Sequence, residues 1–88
     1  RRWDGAPLTV RSPMTEAMRE GRVVCYETSA ERAARWGEPA PTGFEAAALV
    51  PIFADARVVG GWSLAFAGPR RFSDEECAFL ITLGRQAA

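Results

Sequence analysis

Two stretches, 46–54 and 58–66, flank the short polar segment Asp55-Ala56-Arg57, and no other feature restricts the chain as much. The first is apolar at every position. In the second, Trp62, Leu64 and Phe66 alternate with Gly61, Ser63 and Ala65, the period of two that a pleated strand imposes. A turn between them makes the pair an antiparallel hairpin. Pro51 has no N–H to give to a ladder, so its strand must carry a bulge or an edge there. The apolar run is also far below the roughly 20 residues needed to cross a bilayer, so the chain contains no membrane span.

Helices flank this hairpin. Ser73 with Glu76 three residues on forms a capping box, and Asp74 and Glu75 suit the positive end of a helix that runs to the end of the chain. Phe72 is placed to staple against Cys77, and Cys77, Leu80, Ile81, Gly84, Ala87 and Ala88 share a face suited to packing on a sheet. Ser12-Pro13 starts another helix, with Met14, Ala17 and Met18 on one face and Gly21 closing its last turn. Arg22 to Glu27 reads as a strand. Thr28 as N-cap, with Glu31 completing its box, starts a helix from Ala30 to Trp36 that ends at Gly37, and 38–43 is a surface loop. The order gives an α+β fold, an antiparallel central sheet with helices packed on it, in a single domain spanning 1–88.

Composition removes several functions. Eleven basic residues balance eleven acidic ones, so there is no positive field for nucleic acid or an anionic membrane. The pairs Arg1-Arg2 and Arg70-Arg71 read as solvated surface. With no His in the chain, hydrolase triads and the common zinc constellations lose their main component, and no catalytic or metal-binding residue is expected. Gly60-Gly61 lacks the further glycines and following helix of a phosphate loop. Cys25 and Cys77 are far apart in sequence and read as free cytosolic thiols.

The Ser12-Pro13-Met14-Thr15-Glu16-Ala17-Met18 helix followed by Gly21-Arg22-Val23-Val24, the Val50-Pro51-Ile52 strand, Val58-Val59-Gly60-Gly61, and Arg71-Phe72-Ser73-Asp74-Glu75-Glu76 together resemble the later part of a GAF domain. The resemblance is one of order and spacing and runs from about Leu8, with a remnant of the earlier part at Arg1-Arg2-Trp3. It implies that the family's N-terminal portion is missing, and both chain ends read as cuts. It also implies a terminal helix layer on one sheet face and a ligand cavity on the other.

GAF domains of this kind occur in bacterial multidomain signalling regulators. The resemblance therefore implies a cytoplasmic sensor for a small-molecule ligand, attached to an output domain (phosphatase, histidine kinase or cyclase) in the same polypeptide, with a homodimer as a further option. The cyclic-nucleotide, bilin and haem patterns of the family need Asn, Lys or His that the chain lacks, so no cofactor is expected. The family's free methionine sulfoxide reductases use several pocket cysteines. Cys25 and Cys77 would mimic them only if they met, and Cys77 is expected to pack under Phe72, so the domain is expected not to be an enzyme.

The large rings Tyr26, Trp36, Phe44, Phe53, Trp62 and Phe66 remain, either as core or as the wall of a site. The second possibility places Cys25, Trp36, Phe44, Leu49 and Trp62 around an apolar ligand-binding cavity between the sheet and the 30–36 helix. If side chains fill that space instead, the domain is a dimerisation or docking unit acting through its last helix.

Overall fold

A computed structural model describes residues 11–86. The Arg1-Arg2 pair, the Trp3 remnant, Leu8, Ala87 and Ala88 lie outside the described residues. The elements are α1 (Pro13–Glu20), β1 (Val24–Tyr26), α2 (Ser29–Trp36), β2 (Ala46–Ala54), β3 (Arg57–Phe66) and α3 (Asp74–Gln86).

The hairpin forms as expected, with Asp55 in the left-handed conformation (φ 57°) at its turn. β2 is the middle strand, antiparallel to both β1 and β3. Next to the turn Ala54 faces Arg57 and Phe53 faces Val58, but a register shift between Ile52 and Phe53 then sets Ile52 opposite Gly60. This is a β-bulge whose extra residue is Val59 on β3, while β2 has no insertion and Pro51 pairs with Gly61. β1 pairs only with 47–49, so at Pro51 the sole ladder partner is β3, and the missing N–H is tolerated although β2 is central.

Residues 46–51 of β2 are all buried, which requires cover on both faces. On one face Ala48 and Val50 pack with Leu80 of α3, bordered by Cys25, Trp62, Leu64 and Phe72. On the other, Ala47 and Leu49 pack with Val24, Tyr26, Ala17 and Trp36, bringing α1 and α2 against the sheet.

Local chemistry places the helices. Ser12 Oγ accepts the Thr15 N–H, Thr15 Oγ1 accepts the Ser12 N–H, and Gly21 (φ 66°) caps the other end of α1. Thr28 Oγ1 accepts the Glu31 N–H at α2. The rest of that expected box does not form, because the Glu31 carboxylate takes the Glu27 N–H at 2.7 Å instead. At α3 both bonds of the box are present: Glu76 N donates to Ser73 Oγ and Ser73 N donates to Glu76 Oε1, each at 3.1 Å.

Phe72 packs edge-on against Phe66 with ring centroids 5.9 Å apart, and Arg70 lies over both rings while its guanidinium bonds Glu76. Arg70 is thus a packing residue, not simple solvated surface.

The α3 layer sits unusually close to β2. A Cβ on Gly84 would stand 2.1 Å from the Pro51 carbonyl oxygen, a backbone atom that no rotamer change can move away. Alanine at this helical position would gain about 1 kcal/mol in propensity. The overlap costs more, since the helix must retreat from Val50 and loosen Leu80. Gly84→Ala is expected to lower stability by about 2 kcal/mol net in urea unfolding; a stabilised variant would show that this contact is not as close as described.

Candidate functional site

The face covered by α1 and α2 is incompletely filled. A cavity of about 390 Å³ lies there, lined by Ser12, Pro13 and Met14 of α1 and its cap, Tyr26 of β1, Arg32 of α2, Pro41 and Phe44 of the following loop, and Ala47, Leu49, Ser63 and Ala65 of the sheet. Its floor is apolar, with Ser12, Tyr26, Arg32 and Ser63 contributing the polar groups. Phe44, 42% exposed, stands at its rim.

Each wall is held by identifiable bonds. Gly37 and Gly43 take positive φ values (89° and 94°) in the loop that carries Pro41 and Phe44. Arg32 Nη1 donates to the carbonyls of Glu38 and Pro39, and Ser29 Oγ accepts the Ala40 N–H, so α2 straps the loop down. Arg32 also lies over the Tyr26 ring, 5.8 Å from its centroid. Burial raises the pKa of the Tyr26 phenol, and the nearby guanidinium partly offsets this. Behind Tyr26, Trp36 meets it edge-on at 6.2 Å, donates from Nε1 to Glu16 Oε1 at 3.1 Å, and is covered by Arg35 at 4.2 Å. Glu16 also receives Arg22 at 2.7 Å, so one carboxylate ties α1, α2 and the start of β1 together.

Of the five residues expected around one cavity, Phe44 and Leu49 line it. Trp36 stands behind the wall as the support of Tyr26. Cys25 and Trp62 are on the opposite face: Cys25 is level with Ala48, and Trp62 with Val50, both of which face α3. Cys25 is there through its pairing with Ala48, whereas for Trp62 the bulge is the reason. Continued from the turn without it, the pairing of Ala54 with Arg57 would bring Leu49 opposite Trp62. The one-residue shift brings Ser63 there instead, and a shift of one exchanges the faces. Ser63 and Ala65 thereby become lining residues, and Tyr26 joins them through its pairing with Ala47. Trp62 Nε1 is buried without a hydrogen-bond partner on the α3 side.

That far face holds the two thiols. Cys25 Sγ and Cys77 Sγ are 3.7 Å apart, so the two cysteines far apart in sequence do meet. Desolvation, then the neighbouring Cys77, pushes the Cys25 thiol up to about 12, from an ordinary 9.0. Among the described residues no group of three or more Cys, Asp or Glu is placed to hold a metal ion. Nor is any helix among them long and apolar enough to cross a membrane.

The sequence profile of the GAF domain family matches residues 4–88. The chain belongs to the GAF domain family. Among solved structures, the domain is similar to the type II free methionine-R-sulfoxide reductase from Thermoplasma acidophilum, with a TM-score of 0.69, 14% identity, and coverage of 88% of this chain and 53% of that one. At that identity the likeness is one of fold, and the chain spans about half the length of that enzyme. No curated protein matches the sequence. GAF domains are commonly ligand-binding regulatory modules, and in this one the cavity lies across the sheet from the terminal helix.

The raised Cys25 pKa has a signed consequence. The folded domain holds the proton that the unfolded chain releases near pH 9.0, so this contribution to stability is whole below that pH and is lost as the pH climbs towards about 12. Cys25→Ala is expected to flatten the decline of Tm above pH 9.0, measured by thermal melts in reducing buffer. An unchanged slope would place the ionisation elsewhere.

Proposed function

We propose that this GAF domain is a non-catalytic sensory module. It takes a small, flat, largely apolar molecule between α1, α2 and the sheet, and its occupancy biases an output domain in the same polypeptide. The observation that carries this reading is the apolar cavity of about 390 Å³ on the face opposite α3. Its size falls within the range of small-molecule sites, and a few polar groups around an apolar floor are what orients such a ligand. Arg32 adds a positive group suited to a ligand carbonyl or carboxylate.

A reductase role, raised by the name of the structural neighbour, has less support. A thiol would have to face the cavity, and Cys25 and Cys77 lie across the sheet from it. The setting we infer is a cytoplasmic bacterial signalling protein with a phosphatase, histidine kinase or cyclase output. Signalling there requires the ligand to bind the two states of the output with different affinity.

Thermal shift with a panel of planar heteroaromatic metabolites tests the reading. A binder at about 100 times its Kd stabilises by about 2.7 kcal/mol. Ser63→Phe, filling the cavity from an exposed strand position, is expected to abolish the shift, whereas Trp62→Ala, on the far face, should retain it. Retention in Ser63→Phe together with loss in Trp62→Ala would place the ligand under α3.

One observation favours a docking role as well. Phe79 is 62% exposed on α3, beside a groove lined by Leu64, Phe66, Arg70, Glu75, Glu76 and Leu80. If this groove is a dimer seam, Phe79→Glu is expected to halve the mass measured by light scattering, and an unchanged mass would remove the seam.

A further inference from the structure

We propose that Cys25 and Cys77 form a peroxide-responsive dithiol that closes to an intramolecular disulfide, fastening β1 to α3. The two sulfurs are 3.7 Å apart although 52 positions separate the residues in sequence, so the fold itself makes the pair. Bonding requires an approach of roughly 1.7 Å to reach the S–S bond length.

Both thiols are partly buried, and they differ in what they border. Cys77 borders an open depression with Gly21, Arg22, Val23, Ala78 and Ile81, where a small oxidant reaches it. Cys25 is half-buried beneath the α3 layer with Ala48 and Leu80. Cys77 is therefore the sulfur that is attacked first and Cys25 the one that resolves it, the arrangement of a reversible redox sensor.

The oxidant is a hydroperoxide. The Cys77 thiol gives up its proton, and the thiolate attacks one peroxide oxygen. The O–O bond breaks, a sulfenic acid forms on Cys77, and hydroxide leaves with the released proton as water. Cys25 sulfur then attacks Cys77 sulfur: the S–S bond forms, the S–O bond breaks, and the Cys25 proton leaves with the hydroxide as a second water. Two thiols are oxidised by two electrons in total, and hydrogen peroxide is reduced to two waters.

The site is separate from the cavity, since the whole sheet lies between them. Its effect is mechanical. α3 reaches the sheet mainly through Leu80 and Gly84, and a covalent tie at Cys77 fixes its first turns as well.

The experiment uses the full chain, fully reduced and then titrated with hydrogen peroxide. Remaining thiols are capped with N-ethylmaleimide before intact-mass and peptide analysis. The expected product has lost two hydrogens, takes up no maleimide, and yields a linked peptide pair joining Cys25 to Cys77. Its Tm rises by on the order of 10 °C and returns to the original value on reduction. In Cys25→Ala, Cys77 should stop at the sulfenic acid, trappable with dimedone, with no rise in Tm.

Any of three wild-type results overturns the proposal: disulfide-linked dimers in place of the internal link, a persistent sulfenic acid, or thiols that oxidise only in denaturant. The wild-type peptide map decides the matter even if a variant folds poorly. None of these outcomes bears on ligand binding in the cavity.

Discussion

The burial of β2 on both faces is the constraint on which the rest of the domain depends. Residues 46–51 present apolar side chains alternately to either side, and burying each Val or Leu contributes about 1.5–3 kcal/mol. Leaving either face in water would forfeit several such terms, so two separate covers are obligatory. α3 supplies one. α1 and α2 supply the other, and this division yields an α+β sandwich from only three described strands.

The covers are not equivalent. α3 lies so near β2 that only a glycine fits at residue 84. The α1 and α2 layer is assembled from two short helices and a glycine-containing loop, joined through Glu16, Arg32 and Ser29. Two eight-residue helices do not tile a sheet surface, and the space left between them becomes the cavity. Polar bonds around the rim hold that space open without filling it.

How far the sequence was legible follows from the range of each interaction. Helix starts at Ser12, Thr28 and Ser73 were readable because a cap is satisfied within three or four residues. The hairpin was readable from its turn and alternation; of the bulge or edge expected at Pro51 it is the edge that is found, β1 pairing only as far as Leu49, while the bulge falls on β3. What failed was parity: the shift falls between Ile52 and Phe53, and nothing local says on which side of it the faces exchange. That single residue moved Trp62 out of the expected site and Ser63 into it. Tyr26 could have been found from alternation within β1 once Leu49 was assigned to the cavity. The meeting of Cys25 with Cys77 depends on where α3 lands along the sheet, a distance that neither segment encodes alone.

Leu49 and Val50 are consecutive, one on the cavity floor and the other under α3, and Pro51 carries the carbonyl against Gly84. The barrier separating the cavity from α3 is therefore the thickness of one polypeptide strand. No slack exists at its outer side: with the Pro51 oxygen already seated on bare helix backbone, any outward flexing of this strand must push the helix axis. Gly84 thus sets the spacing between strand and helix as well as their fit.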